Sequence, residues 1–294
     1  DLGLRALSAF AGLLAASGAE YPYKFALAPN SGVFPGLDMD GDGRSGTPAD
    51  AQGYGRFAGQ GGMALLSRLP IDADGARDFS GFLWKDFPDA IWPAQTAAEV
   101  MEIQRLSSVA HWDVPVILPD GSALHLLAYH ASTPVFDGPE DRNGRRNYDQ
   151  NVFWLRYLEG ALPWTPPDEP FVIFGDANLD PVDGAGRRSA IRALLAYPGI
   201  QDPRPKSAGA VAAASAQGGA NLRQRGDPAF DTADWRDVDG PGNLRVDYVL
   251  PSRDLRVLDA GVFWPAPDEA GAAILNGRDP DVGWHGLVWV DVGW

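Results

Sequence analysis

One segment of the sequence places an aspartate and an asparagine directly after an apolar strand. Residues 171–181 read FVIFGDANLDP, in which Gly175 lets the backbone turn and Pro181 ends the strand pattern. Strand alternation sends Asp176 and Asn178 to the same side of the strand end. A carboxylate beside an amide can activate a water and hold a phosphoryl oxygen, or it can ligate a hard cation through oxygen. The same segment is equally typical of an Asx-rich turn, so both interpretations are open at this point.

A second segment, RVDYVL, also combines charged and strand-forming residues. Alternation places Arg245, Asp247 and Val249 on one face of the predicted strand. These charges are either part of a site or an internal ion pair on an edge strand.

The chain has four histidines, and two of them lie at the ends of predicted strands. His130 ends the run LLAYH, and His285 precedes the apolar run LVWVDV. A lone histidine is more often structural, but strand ends are where α/β folds build their sites. His111 precedes another predicted strand and could approach a site, whereas His125 begins a strand and is predicted to be structural.

The elements that must position these residues are short strands with helices between them. Helices are predicted over residues 4–17, 97–106, 147–158 and 187–195, and strands over residues 63–69, 114–118, 123–129, 171–174, 244–250 and 287–292. The Gly- and Asp-rich segment 28–62 is predicted as a loop, and the low-complexity segment 207–219 as a surface loop or a weak helix. This pattern favours a layered α/β domain with functional loops at strand ends.

Composition excludes several classes of protein. The 294 residues are 45% apolar, enough for a large core, and no apolar run approaches the roughly 20 residues of a membrane-spanning helix. The absence of cysteine excludes disulfides, thiol catalysis and zinc–thiolate sites. The net charge of −15 argues against a general attraction to nucleic acid, so an anionic substrate must be held by a local patch or a metal.

Taken in chain order, these motifs resemble the endonuclease/exonuclease/phosphatase superfamily, the DNase I-like metal-dependent phosphoesterases. The matching residues are His130, GDANLDP at 175–181, RVDYVL at 245–250 and His285 before the last strand. The segment GGMALLSRLP at 61–70 is similar to the second strand of the family. Because the matches keep their order from about residue 60 to the end of the chain, coincidence is a poor explanation.

The resemblance implies a fold and a bacterial origin. The segment VFDGPEDRNGRRNYDQ at 135–150 is similar to a bacterial subgroup that is often secreted, so a periplasmic or secreted protein is expected. The implied fold is a single domain over residues 1–294, built as a four-layered α/β sandwich with two mixed β-sheets packed face to face and helices outside.

The resemblance also assigns chemical roles. Asp176 would orient or deprotonate the attacking water, and Asn178 would hold a phosphoryl oxygen or a metal-bound water. Asp247 would pair with His285, fix its tautomer and favour the imidazolium that stabilises the pentavalent phosphorus. His130 would donate a hydrogen bond or a proton to the phosphate or the leaving group. The catalytic cation, Mg²⁺ or Mn²⁺ in the family, would polarise the phosphoryl oxygen, with Asp176 and Asn178 as candidate ligands.

The implied function is metal-dependent phosphoester hydrolysis, as a phosphodiesterase, a phosphatase or a nuclease-like enzyme. The expected partner is a small phosphorylated substrate or a nucleic acid. A small phosphodiester suits the acidic composition better than long duplex DNA.

Two departures from the family pattern affect the metal. A Gln-Glu motif and the opening Phe-Asn strand are not found before residue 60, so the chain is expected to lack the first strand and helix of the family and to be N-terminally incomplete. Trp284 stands where the family has a metal-binding aspartate, and an indole cannot ligate a hard cation. Either Asp281 or Asp279 reaches the metal from a rearranged loop, or the protein has lost catalysis and retains a phosphate- or ligand-binding cleft.

Two further groups of charged residues are candidates for ligand binding. Arg142, Arg145 and Arg146 follow an acidic segment and form either a local patch that binds the phosphate of a substrate or a surface ion-pair cluster.

The second group lies in the segment DMDGDGR at 38–44. Asp38, Asp40 and Asp42 have the D-x-D-x-D-G spacing of a calcium loop, although Ala49 occupies the position of its last ligand. The sequence therefore predicts either a Ca²⁺-stabilised loop or a solvated acidic turn.

Overall fold

The computed structural model describes residues 3–275 and 283–294. The described helices are α1 Arg5–Ala16, α2 Ala98–Ile103, α3 Arg142–Leu158, α4 Ser189–Leu195 and α5 Ala208–Gln217. The described strands are β1 Tyr23–Phe25, β2 Leu65–Ser67, β3 Arg77–Asp78, β4 Ala110–Ile117, β5 Ala123–His130, β6 Phe171–Asp176, β7 Ala233–Asp234, β8 Asn243–Leu244, β9 Asp247–Pro251, β10 Arg256–Phe263, β11 Trp284–His285 and β12 Leu287–Gly293. Within the described ranges, no helix has both the length and the apolar character needed to cross a bilayer.

A five-stranded mixed sheet, in the order β3–β4–β5–β6–β9, forms the centre of the fold. β4 and β5 are an antiparallel hairpin closed by the hydrogen bond from Leu118 N to Ser122 O, 2.8 Å. β5 and β6 are parallel, and β6 and β9 are antiparallel. A parallel pair needs a long crossover connection, which α3 supplies between β5 and β6.

Helices α3 and α4 cover one face of this sheet. α3 buries a row of aromatic side chains, including Phe153, Trp154 and Tyr157, and α4 adds Ile191. The sheet contributes a matching set of inward-facing residues to the same core: Leu127, Tyr129, Ile173, Tyr248 and Leu250. The burial of so much aromatic surface is a main source of stability for this half of the molecule.

Two strand pairs cover the opposite face. Over β4 lies the β1–β2 pair, where the ring of Phe25 stands edge-on to Trp112 with centroids 5.5 Å apart. Over β5 and β6 lies the β10–β12 pair, where Val292 packs against a cluster that includes Leu124 and Val172. The central sheet is therefore buried between helices on one side and strands on the other.

The mixed α/β sandwich expected from the sequence is confirmed. Its second layer is divided, because β1–β2 and β10–β12 are separate hydrogen-bonded pairs and β11, β7 and β8 form a further small sheet. The sequence does not predict β10, in which Asp259 and Gly261 interrupt the apolar pattern. Of the two interpretations of residues 207–219, the helix is the one observed, and the Ser207 side chain accepts a hydrogen bond from Ala210 N at its start.

The strand predicted over residues 244–250 is interrupted between β8 and β9. Arg245 N donates to the Asp180 carboxylate at 2.8 Å, and Val246 N donates to the Thr232 hydroxyl at 3.1 Å. Because side chains take these two amide protons, they are not available to a neighbouring strand.

Candidate active site at the end of the central sheet

Asp176 lies at the centre of the candidate site because it ends the middle strand of three. In the strand register, Asp176 is opposite His130 of β5 on one side and Asp247 of β9 on the other. β6 thus brings together three residues that are far apart in the sequence. The fourth, His285 on β11, contacts Asp247 from the small sheet.

Gly175 allows the strands to approach this closely. Its backbone has φ of +140°, and a Cβ atom at this position would lie 1.8 Å from the carbonyl oxygen of Tyr129 on β5. Any side chain would therefore force β5 and β6 apart, directly beside Asp176 and His130. The glycine predicted to permit a turn also fixes the spacing of the site.

The turn after β6 holds Asn178 against Asp176. Asn178 N donates to Asp176 Oδ1 at 2.8 Å, and Asn178 Nδ2 donates to Asp176 Oδ2 and to Ala131 O, each at 3.0 Å. Asn178 itself adopts a left-handed backbone, with φ of +48°. Because these contacts use the amide nitrogen, Oδ1 is the Asn178 atom left to meet a cation or a water.

Two asparagines of α3 stabilise the same turn by donating hydrogen bonds to its main chain. Asn147 and Asn151 are fully buried, and both donate to Ala177 O, at 2.9 and 3.1 Å. Asn147 also donates to Ser132 O at 2.7 Å, which ties the loop after β5 to the loop after β6. These residues cannot be recognised from the sequence, because their role depends on contacts across about 30 positions of the chain.

Asp247 and His285 form a directly hydrogen-bonded pair. His285 Nδ1 lies 2.8 Å from Asp247 Oδ2 and 3.1 Å from Oδ1. The Thr232 hydroxyl donates to Asp247 Oδ2 at 2.7 Å and accepts from Asp247 N at 3.0 Å. Thr232 therefore orients the carboxylate, and His285 Nε2 is the ring nitrogen left for a substrate.

His130 lies beside Asp176 and Asn178 without a short hydrogen bond to either. Its Nε2 lies 3.5 Å from Asp176 Oδ2 and 3.5 Å from Asn178 Nδ2. Burial, and then the nearby charge of His285, lower the pKa of His130, so the ring is neutral near pH 7.

The electrostatics of the site are dominated by two carboxylates in close proximity. Burial and then the charge of Asp247 raise the pKa of Asp176 to about 7. Burial alone would disfavour a charged His285, but the hydrogen bond that its ring donates to Asp247 and the charges of Asp247 and Asp176 outweigh it and raise the pKa of His285. The site is therefore poised to exchange protons near neutral pH.

These residues open into a cleft of about 870 Å³. His130, Asp176, Asn178 and His285 line it, together with apolar residues from the loop after β5 and from the small sheet. Trp235 lies at its edge, with its ring edge-on to that of His285 at a centroid distance of 5.4 Å. The cleft can hold a small molecule next to the Asp176–Asn178 couple and the Asp247–His285 couple.

The donor set at Asp176 fits a divalent cation. Ligand atoms of Asp176, Asp247 and His285 lie within 4.8 Å of one another, and Asn178, whose Nδ2 contacts Asp176, lines the same cleft. Carboxylate and amide oxygens are the donors that Mg²⁺ and Mn²⁺ prefer. The mutual repulsion that raises the pKa of Asp176 is also the repulsion that a cation would relieve.

Trp284 provides no additional ligand for such a cation. Its Nε1 donates to Asp234 Oδ2 at 3.1 Å, and its ring stands 4.8 Å from that of Trp264. The indole is therefore a packing residue of the small sheet. Asp279 and Asp281, the alternative ligands, lie outside the described residues.

Arg245 does not contribute to the site. Its guanidinium forms a two-pronged ion pair with Asp202, at 2.9 and 2.5 Å. The ion-pair interpretation thus applies to Arg245, although its partner is Asp202, outside the RVDYVL motif, and Arg245 lies between β8 and β9. Asp247 of the same motif belongs to the site.

The three arginines at the start of α3 lie away from Asp176, and none of them lines the cleft that contains it. Arg146 is buried, and its guanidinium donates to four main-chain carbonyls, those of Gln52, Arg105, Leu106 and Ser107. We therefore assign Arg146 a structural role, in place of the expected contact with substrate. Arg145 donates to Glu140 O, and Arg142 donates to Gln104 Oε1 and lines a neighbouring cleft of about 630 Å³.

The acidic loop forms a compact turn. Ligand atoms of Asp38, Asp40 and Asp42 lie within 4.8 Å of one another. Asp38 accepts hydrogen bonds from Gly41 N and Gly43 N, at 2.7 and 2.8 Å. This geometry is shared by a calcium loop and an Asx turn, so calcium binding here stays a prediction.

The sequence matches a family model described as the Endonuclease/Exonuclease/phosphatase family over residues 6–269. The chain belongs to this family, which unites enzymes that cleave phosphoester bonds. None of the curated proteins is similar enough in sequence to match this chain.

Solved structures of the same family are similar at low identity. An endonuclease/exonuclease/phosphatase from Beutenbergia cavernae is 18% identical over 87% of this chain, with a TM-score of 0.48, and this chain spans only 52% of its length. A family protein from Leptotrichia buccalis is 14% identical over 97% of this chain and 78% of its own, with a TM-score of 0.45. Sphingomyelinase C from Streptomyces griseocarneus is 17% identical over 87% of this chain and 74% of its own, with a TM-score of 0.42.

Proposed function

We propose that this protein hydrolyses a phosphoester bond by in-line attack of water, assisted by a divalent cation. The observation that supports this most directly is the convergence of two couples, Asp176–Asn178 and Asp247–His285, on one cleft beside His130. Each couple supplies one half of the chemistry, namely activation of water and stabilisation of charge at phosphorus.

Asp176 is the proposed general base. A pKa of about 7 makes its carboxylate a stronger base than an ordinary aspartate, and Asn178 holds both of its oxygens in place. A water in the cleft beside Asp176 would lose its proton to this carboxylate as its oxygen bonds to phosphorus. The bond from phosphorus to the ester oxygen breaks in the same step, and that oxygen leaves with the electron pair and takes a proton from solvent.

His285 is the proposed electrostatic partner of the phosphoryl group. Because Asp247 holds Nδ1 and raises the pKa of the ring, the charged form is favoured and Nε2 carries a proton. That proton can be donated to a phosphoryl oxygen as negative charge develops on it. His130, neutral near pH 7, can donate a hydrogen bond from the opposite side of Asp176.

Mg²⁺ or Mn²⁺, held by Asp176 and Asn178, would supply Lewis-acid polarisation of the phosphoryl group when bound. The excess of carboxylates over cationic side chains in this cleft makes such a charge necessary for an anionic substrate.

The direct test is turnover of bis(4-nitrophenyl) phosphate and of 4-nitrophenyl phosphate, with and without Mn²⁺ or Mg²⁺. We expect cation-dependent release of 4-nitrophenol, and a loss of about 10²–10⁴-fold in kcat for Asp176→Asn. Asp254→Asn, which changes an exposed aspartate in the turn between β9 and β10, is the matched control and keeps full activity. A folded protein that releases no product from either ester at any cation concentration would contradict the proposal.

A second candidate function is phosphate or ligand binding without catalysis. It is favoured by Trp284, which occupies the position of an expected carboxylate and is engaged with Asp234. In that case phosphate binds the cleft but no ester is cleaved, and Trp284→Asp creates turnover that the unaltered protein lacks.

A further inference from the structure

Phe136 is an exposed aromatic residue at the site that the proposed mechanism does not use. Its side chain is 91% exposed, the highest value among the large apolar residues of the described part of the chain. Its backbone is also left-handed, with φ of +69°, which is unusual for a bulky residue. Exposed apolar surface and a strained backbone at the same residue are typical of a functional position.

The backbone on both sides of Phe136 is held in place. Asn143 Nδ2 donates to Val135 O at 2.9 Å, and Asn143 N donates to the Asp137 carboxylate at 2.5 Å. One residue of α3 therefore fixes the residue before and the residue after Phe136. The ring is presented to solvent by a braced loop, which reduces the ordering cost of a contact made there.

Phe136 stands beside the candidate catalytic residues. Phe136 and His130 both line the 870 Å³ cleft and also the neighbouring 630 Å³ cleft, so the loop after β5 forms the boundary between the two. Val135 and Trp235 add apolar surface to the larger cleft. A group attached to a phosphate near Asp176 would meet these apolar residues first.

The charged residues of the larger cleft restrict the substrate further. Arg223 is the one arginine or lysine among its described lining residues, whereas three aspartates besides Asp176 line it: Asp180, Asp183 and Asp239. A chain of many phosphates would be repelled by this lining far more strongly than a single phosphoester, whose charge one divalent cation can balance.

We propose that Phe136 is a specificity-determining residue that stacks on a planar aromatic group of the substrate, next to the phosphoester. This inference rests on the proposed function for the position of the phosphate, and it names the substrate class as single phosphoesters that carry an aromatic group. An aryl ester and a nucleobase would both offer the required planar surface.

Equilibrium binding tests this independently of catalysis. By calorimetry in the presence of Mn²⁺, we expect the protein to bind phenylphosphonate about tenfold more tightly than methylphosphonate, Phe136→Ala to abolish this preference, and Phe136→Trp to retain it. Phe10→Ala, which removes an exposed phenylalanine of α1 that lines neither cleft, is the control and leaves the preference intact. Equal binding of the two phosphonates by the unaltered protein, or no binding of either, would overturn the inference.

The same variants separate the two sources of the aromatic group. A Phe136-dependent preference for adenosine 5′-monophosphate over ribose 5-phosphate, larger than that for the phenyl group, would support a nucleobase. The reverse order would support an aryl ester.

Turnover separates this inference from the proposed function. Bis(4-nitrophenyl) phosphate carries planar aromatic ester groups, whereas dimethyl phosphate carries none. We expect Phe136→Ala to raise KM about tenfold for the first and to leave it within twofold for the second, with kcat little changed. Unchanged KM values would overturn the inference alone, whereas Phe136-dependent binding without turnover would overturn the hydrolase proposal alone.

Discussion

Two aspartate–histidine pairs take their aspartate from the central sheet, and of these two only Asp247–His285 opens into a cleft. Asp247 and His285 lie at the end of the sheet where β5 and β6 deliver His130 and Asp176. The other pair, Asp113 and His125, joins β4 to β5, with His125 five residues before His130 along the strand.

The enclosed pair has a fixed partner for each carboxylate oxygen. Asp113 Oδ1 lies 2.6 Å from His125 Nδ1, and Asp113 Oδ2 accepts from the Tyr157 hydroxyl at 2.8 Å. The Asp113 side chain is 1% exposed and that of His125 is 11% exposed. For the Asp247–His285 pair the corresponding values are 18% and 36%.

The comparison shows that a hydrogen-bonded aspartate and histidine do not by themselves make a site. Both pairs have a second carboxylate nearby, since Glu169 Oε2 lies 3.7 Å from His125 Nε2, so what distinguishes Asp247–His285 is the adjacent cavity that a substrate can enter. The enclosed pair serves to satisfy buried polar atoms between the sheet and α3.

The largest expected difference concerns the two histidines. His285→Ala removes the proposed donor to the phosphoryl group, and we expect kcat for an aryl phosphodiester to fall about 10²–10⁴-fold. Because His285 is partly exposed, the melting temperature should change little. Steady-state kinetics and thermal unfolding of the same preparation measure both effects. If His285→Ala retained full activity, the proposal that the Asp247–His285 pair acts in catalysis and the Asp113–His125 pair does not would be wrong.

The corresponding substitution in the enclosed pair should lower stability and leave activity unchanged. His125→Ala leaves Asp113 Oδ1 buried without its partner, at a cost of about 1–3 kcal/mol in the free energy of unfolding. We expect a lower melting temperature and, below it, an unchanged kcat. A loss of kcat in His125→Ala without a loss of stability would show that the enclosed pair takes part in function.

Thr232 tests how strongly the open pair depends on its support. Thr232→Val removes the hydroxyl that donates to Asp247 while preserving the shape of the side chain. We expect about a tenfold loss of kcat, as for other residues that orient a catalytic group, and a pH profile shifted towards that of unpaired histidine. Thr232→Ser retains the hydroxyl and should restore both. Failure of serine to restore them would assign Thr232 a packing role.

The smallest effect is the pH dependence of stability contributed by Asp176, the carboxylate beside the open pair. The pKa of Asp176 is raised from 3.8 to about 7, so between these values the folded protein keeps a proton that the unfolded chain has lost. The free energy of unfolding therefore falls as pH rises through this window. Asp176→Asn lacks the ionisable group, and its melting temperature should exceed that of the unaltered protein by an amount that grows from pH 5 to pH 8. A divalent cation should reduce the difference, and a difference independent of pH would contradict the raised pKa.

The residues at strand ends could be predicted because their positions follow from local alternation and turn residues. GDANLDP and the run ending at His130 are each short enough that strand geometry decides where Asp176 and His130 lie. Their juxtaposition also follows from the family resemblance, which supplies the order of the strands. Their roles in catalysis stay predictions until they are measured.

Other features depend on contacts that no local pattern reveals. Thr232 reaches Asp247 across 15 positions of the chain, and Asn147 reaches Ala177 across 30. Arg146 has the charge expected of a phosphate ligand, but its burial against main-chain carbonyls is decided by how α3 packs. The type of a residue can indicate its chemistry, whereas the direction of its side chain depends on the whole fold.

The asparagines of α3 have one further consequence. Asn143, Asn147 and Asn151 tie the segments after β5 and β6 to one rigid helix, so these two segments cannot move independently of each other. Any adjustment to substrates of different size must then come from the side of the cavity formed by β7, β8 and β11. We therefore expect a bound ligand to contact a rigid surface formed by the segments after β5 and β6. The opposite side of the cleft would adjust to the size of the ligand.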